Sequence, residues 1–198
     1  MLARRELYRQ SFHIIFGMLL VLLLYYKILS HLALFLLIII GIMISFLSKR
    51  LPLPFLSFFL KNMEREEDYK NFPGKGLIFF LVGTLLAVKL FPPDIALASI
   101  MILAWGDSLS HVVGQKIGRI RNIFHKKGEK MLEGTLFGTV AGFFGALIFV
   151  PIPEAFLGSA GAMMAEVLTI EFNDHTLDDN LIVPLVAGTM MLLIRRYL

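Results

Sequence analysis

Cysteine is absent from the 198 residues, so disulfides and thiolate metal sites are both excluded. Charge is scarce. Asp, Glu, Lys and Arg make up 17% of the chain, against about 25% in an ordinary soluble domain. There is one tryptophan, Trp105, most simply a packing residue. No GxxxxGK[ST] phosphate loop occurs, and the histidines show no zinc-like spacing. The net charge of +4 suits loops facing anionic lipid or nucleotide phosphate better than a nucleic-acid partner.

What the chain has in quantity is apolar sequence, 57% hydrophobic residues with a mean hydropathy of +0.76. Its charges lie between apolar blocks near 11–26, 31–48, 76–91, 94–118, 134–150, 154–170 and 181–194. Blocks of roughly 17–25 residues can cross a bilayer as helices, because lipid forces every backbone group to bond internally. The expectation is an all-α, polytopic membrane protein of about seven transmembrane helices, one integral-membrane domain over 1–198. The first block follows a basic start without a small-residue cleavage site, so it reads as a retained span. "LPLPFLSFFL" (51–60) has two prolines and is too short to cross, which makes 51–75 a cytoplasmic or interfacial loop.

Lys and Arg collect before the first block, between the second and third, and after the fourth. Seven crossings put all three clusters on one side, which the positive-inside rule makes cytoplasmic. "EFNDHTLDDN" (171–180) falls on that side as well, whereas Arg195 and Arg196 fall opposite and violate the rule.

The reactive-looking residues converge on the cytoplasmic face. In "GDSLSHVVGQKIG", Asp107, Ser110, His111, Gly114 and Gly118 share one helical face. An intramembrane carboxylate faces a cavity or a partner by default, and such glycines admit another helix or a ligand. In the basic loop 119–133, Lys126, Lys127 and Lys130 surround Gly128, ahead of Glu133 and Gly134. Lysines beside a turn at a helix start favour phosphate, although a basic cytoplasmic loop needs no such role. Asp178, Asp179 and Asn180 offer hard oxygen ligands suited to Mg²⁺ with substrate phosphates, while a helix N-cap accounts for one of them. Glu166 is a further intramembrane acid. Arg9 and His13, four residues apart on the first span, can reach a phosphate or a reacting hydroxyl, or simply sit at the interface. Pro184 falls at about the first turn of the last helix, where a missing N–H does little harm.

Together "RQSFH", "GDSLSHVVGQKIG", "EKMLEGT", Glu166 and "LDDNLIVPL" resemble, in order and over residues 9–185, the CTP-dependent polyprenol kinase family. That family includes dolichol and phytol kinases and a CTP-dependent diacylglycerol kinase, and is related to the phosphatidate cytidylyltransferases. The resemblance implies phosphorylation of a membrane isoprenoid alcohol from CTP with Mg²⁺, in a cell or endoplasmic-reticulum-type membrane. It associates Asp107, the Lys130–Glu133–Gly134 pattern, Asp178 and Asp179 with CTP and metal. Joined to the residues read above, the expected site has Asp107, Lys130, Glu133, Asp179 and His13 in catalysis, with His13 or a carboxylate taking the hydroxyl proton. Arg9, Gly114, Gly118, Lys126, Lys127, Gly134 and Asn180 are expected against the nucleotide, and Asp107, Asp178, Asp179 and Glu166 at the metal. The partners the resemblance implies are CTP, the lipid alcohol and membrane lipids, and a homo-oligomer is compatible with it. Met131, where relatives often have Ser or Thr, and His111, small or acidic in several relatives, depart from the pattern. A CDP-lipid-forming cytidylyltransferase, a CTP-dependent diacylglycerol kinase and a small ion-coupled carrier are the alternatives.

Overall fold

The computed structural model describes residues 4–50, 69, 71–121, 130–168, 171–172 and 175–197. Within them are seven apolar helices: α1 (Arg4–Tyr25), α2 (His31–Arg50), α3 (Lys75–Leu90), α4 (Pro93–Ile117), α5 (Leu132–Ala146), α6 (Ile152–Val167) and α7 (Asp179–Tyr197). Their positions follow the apolar blocks of the sequence to within a few residues, except that α1 begins well before its block. Four of them, α1, α2, α4 and α7, are long and apolar enough to cross a membrane. The other three have 15 or 16 residues, which is about 24 Å of helix and short of a full hydrocarbon core. The stretch 51–60 lies outside the described residues. A two-residue-per-strand hairpin, β1 (Glu171–Phe172) with β2 (His175–Thr176), joins α6 to α7 and is a small exception to the all-α fold.

Helix α4 is the axis. Buried residues fill 78% of its apolar window, against 22% for α1 and 17% for α2. Ile95, Ile100, Ile102 and Leu103 are fully enclosed on it. The outer helices turn Ile15, Leu22, Phe35, Met43 and Phe46 outward, as lipid-facing positions require, since lipid is as good a solvent for them as a core. Small residues bring α4 and α5 together. A Cβ at Gly134 would stand 2.5 Å from the Ser110 carbonyl oxygen, and one at Gly138 would stand 2.7 Å from that of Gly106. Between α5 and α6 the Ser159 hydroxyl donates to the Thr139 carbonyl at 2.7 Å, a polar contact that lipid cannot replace.

Two backbone irregularities mark the bundle. Residues Ile102–Asp107 form a π-helical turn within α4, which shifts the register and is a frequent companion of functional sites. Pro184 lies inside α7, past its first turn. It is therefore not harmless in the way its expected first-turn place implied, because it brings no N–H to the Asn180 carbonyl four residues back. That carbonyl abuts Gly83 of α3, where only a glycine leaves room.

Because consecutive helices alternate in direction, the starts of α1, α3, α5 and α7 meet the ends of α4 and α6. At the other end, Arg195 donates from Nη2 to Glu154 at 2.6 Å and to Asp94 at 2.6 Å, and from Nε to Glu154 at 3.1 Å. The arginine expected to break the positive-inside rule is thus neutralised by two carboxylates at the starts of α4 and α6. Glu154 is nearly enclosed, so removing its partner strands a charge. Arg195→Met should lower stability by about 1–3 kcal/mol, the range for hydrogen bonds to charged groups discounted for partial exposure. Thermal unfolding in detergent measures it, and Arg195→Lys should recover part of the loss.

Candidate functional site

At the first-named end, residues from five segments come together. Asp107 closes the π turn of α4 and is buried. One turn on, His111 brings Nε2 to 3.4 Å from Asp107 Oδ1, and from α1 His13 brings Nε2 to 3.8 Å from Asp107 Oδ2. The His13 ring is held edge-on by Phe80 of α3, with ring centroids 4.6 Å apart. Glu166, from the last turn of α6, is buried and accepts a 3.4 Å hydrogen bond from the Ser110 hydroxyl. Asp179 is the first residue of α7.

Lys130, just before α5, ties these together. Its ammonium donates to Glu166 Oε1 at 2.7 Å, to the Glu166 carbonyl at 2.9 Å and to Asp179 Oδ2 at 3.1 Å. Burial alone would lower the pKa of this lysine. The carboxylates of Glu166, Asp179 and Asp107 outweigh that and push it up to about 12, so it is a fixed positive charge at any physiological pH.

Ligand atoms of Asp107, His111, Glu166 and Asp179 all lie within 4.8 Å of one another. Two ligands on opposite sides of a Mg²⁺ ion are about 4.2 Å apart, so the group is of the right size for a small divalent cation. Asp107 Oδ1 and Glu166 Oε2 are buried without a hydrogen-bond partner, as are His13 Nε2, close to Asp107 in space, and Ser108 Oγ, next to it in sequence. Unpaired buried acceptors are costly, and their concentration here fits a site that takes a cationic or polar guest. Hard carboxylate oxygens are the donors a Mg²⁺ ion needs.

The remaining expected residues are placed elsewhere. Asp178 does not face the cluster. Its Oδ1 accepts from the Asn180 backbone N–H at 3.1 Å and side-chain amide at 2.8 Å, and its Oδ2 lies 3.7 Å from Lys75 Nζ. The N-cap therefore falls to Asp178, which frees Asp179 for the cluster. Glu133 turns outward and clamps the chain leaving α4, accepting from the backbone N–H groups of Arg119 at 2.9 Å and Ile120 at 3.2 Å. Arg9 donates to Glu6 at 2.7 Å within α1. Gly114 lies against Gly134 at the α4–α5 contact, and Gly118 ends α4 against Met131. Lys126 and Lys127 lie outside the described residues. Sequence reasoning gave His111 no ligand role, although its step of four from Asp107 was the available signal.

The chain is 34% identical over 190 residues to an uncharacterized protein of Methanocaldococcus jannaschii, covering 93% of this chain and 91% of that one. It is 31% identical over 146 residues to CTP-dependent diacylglycerol kinase 1 of Schizosaccharomyces pombe, covering 65% of this chain and 63% of that protein. With phytol kinase of Synechocystis it shares 34% identity over 113 residues, 54% of this chain and 47% of that one. No family model and no solved structure matches it.

The division between Asp178 and Asp179 is testable. Asp178→Ala should destabilise α7 by about 0.5–2 kcal/mol, as loss of an N-cap does, whereas Asp179→Asn, which keeps an amide oxygen for Lys130 at a half-exposed position, should cost less. Thermal unfolding of the two variants side by side measures this.

Proposed function

Because its named relatives, CTP-dependent diacylglycerol kinase 1 and phytol kinase, put the chain in the CTP-dependent kinase family of the polyprenol and phytol kinase type, we propose that it phosphorylates a membrane lipid alcohol from CTP. The acceptor we assign is an isoprenoid alcohol, and CDP is the second product. The observation that carries the reading is the Lys130–Glu166–Asp179 cluster beside Asp107, His111 and His13, at the end of an apolar bundle. A buried ammonium next to unpaired carboxylate oxygens suits a magnesium–polyphosphate, and the surrounding helices keep a lipid tail in its own solvent.

The acceptor hydroxyl oxygen forms a bond to the γ-phosphorus of CTP while the bond from that phosphorus to the β–γ bridging oxygen breaks. CDP leaves with that electron pair. Phosphoryl transfer of this kind depends on positioning and charge neutralisation more than on covalent chemistry. Asp107, Glu166 and Asp179 would hold Mg²⁺, which neutralises phosphate charge when bound. Lys130, and Lys126 and Lys127 from the basic loop, balance charge on the β- and γ-phosphates. His13, with its buried, unpartnered Nε2, is the group we assign to take the hydroxyl proton. The site end carries Lys49, Arg50, Lys75 and Lys116, so the positive-inside rule favours a cytoplasmic site.

A diacylglycerol acceptor is the second reading, favoured by the 31% identity with CTP-dependent diacylglycerol kinase 1. Incubation with γ-labelled CTP and a panel of isoprenoid alcohols and diacylglycerol separates the two by which lipid takes up label. Asp107→Asn and Asp179→Asn should each lower turnover by about 10²–10³-fold, as loss of a charge-stabilising group does. Full activity in either variant sinks the site, and release of pyrophosphate in place of CDP identifies a cytidylyltransferase.

A further inference from the structure

We propose that His111 makes this a mixed nitrogen–oxygen metal site. The imidazole joins Asp107, Glu166 and Asp179 as a ligand, so the protein binds a first-row transition ion such as Mn²⁺ before any nucleotide arrives. The proposal rests on the functional reading only in sharing its site, because it concerns the metal in the absence of CTP.

Three observations carry it. The first is the facing of His111 Nε2 and Asp107 Oδ1. They stand 3.4 Å apart, yet Asp107 Oδ1 has no hydrogen-bond partner. Two neighbouring ligands on one small octahedral ion are about 3.0 Å apart, so a cation can take the place of this direct contact after a shift of a few tenths of an ångström. The second is the division of the carboxylate oxygens. Glu166 gives Oε1 to Lys130 and keeps Oε2 free of hydrogen bonds, while Asp107 turns Oδ2 to His13 and Oδ1 to His111. Lys130 and an added cation therefore draw on different atoms of the cluster. The third is charge. With His13 and His111 counted as neutral imidazoles, the state a ligand histidine must have, Asp107, Glu166 and Asp179 are formally three negative charges and Lys130 one positive, which leaves two, the charge of a single divalent ion.

The ligand type then decides which ion. Carboxylate oxygens alone serve Mg²⁺, which keeps most of its water and usually waits for substrate phosphates to complete its shell. Imidazole is a ligand for first-row transition ions, and a site of three carboxylates and one imidazole falls in the range that Mn²⁺ accepts. His13 is the other nearby nitrogen, but it sits farther from Asp107 and outside the four-residue group.

The test is Mn²⁺ added to the full chain in detergent micelles or nanodiscs without nucleotide, read by pulsed electron paramagnetic resonance. A ¹⁴N modulation from a directly bound imidazole is expected in the parent protein and in His13→Gln. In His111→Asp, Mn²⁺ should still bind while the ¹⁴N signal disappears. His111→Ala should weaken Mn²⁺ by about tenfold or more, since loss of even an outer partner of a ligand costs about 10–100-fold. A bound Mn²⁺ with no ¹⁴N signal, a signal that survives in His111→Asp but not in His13→Gln, or no Mn²⁺ binding without nucleotide would each overturn the proposal. Circular dichroism and size-exclusion profiles check that the variants fold, with His111→Asn as the second isostere. Mn²⁺ bound through nitrogen without CTP turnover leaves this inference standing and removes the kinase reading. CTP turnover without a nitrogen signal does the reverse.

Discussion

The site depends on one buried ammonium. Lys130 holds the carboxylate and the main-chain carbonyl of Glu166, and across them the carboxylate of Asp179. It thus joins the entry to α5, the exit of α6 and the start of α7. Glu166 is almost wholly enclosed, and an enclosed carboxylate is tolerable only with a partner of opposite charge. Such a pair costs desolvation on both sides and adds little to net stability. What it fixes is geometry: with one cation shared among three acceptors, the three segments cannot slide without breaking a charge-assisted bond.

The bundle repeats this device at its other end. Arg195 bridges Asp94 and Glu154, so α6 and α7 are pinned at both ends by ion clusters and α4 is held to them at this one. Between them the packing relies on small residues, with glycines of α5 set against the α4 backbone. In lipid this division of labour is expected. Apolar burial does not drive helices together there, so close backbone approach and polar bonds must. The two clusters differ in their remainder. Arg195 has its guanidinium engaged by both acids, whereas the Lys130 cluster retains buried oxygens on Glu166 and Asp107 that accept no hydrogen bond. A structural pin leaves nothing over, and a binding site does.

Most of the fold was legible in the sequence, because hydropathy in long blocks is a strong local signal. Each of the seven blocks became a helix, and the alternation of directions brought the acids and lysines to one end. What could not be read was the work done by individual charges. Asp178 and Asp179 are neighbours, and only the turn into α7 shows that the first caps the helix and the second faces Lys130. Glu133 looked like part of a phosphate loop, yet the backbone leaving α4 claims it. Arg195 looked like a topological anomaly, since its partner Asp94 is 101 residues away. Pairings at that distance leave no periodicity to detect.

The π turn joins the local and the distant levels. An α-helix places positions i and i+4 on one face, which explains why Asp107 and His111 meet. It does not by itself explain why that face points at α1 and α6 while Trp105, two residues earlier, packs with the apolar core. The wider turn at Ile102–Asp107 adds the rotation. Its start is packed with enclosed isoleucine and leucine, and its end carries the buried aspartate. Helix α4 is thus a packing element over its first half and a chemical one over its second, and the irregular turn is where the change of role falls. A regular helix of the same sequence would keep the Asp107–His111 step but change its bearing relative to the residues before Ile102.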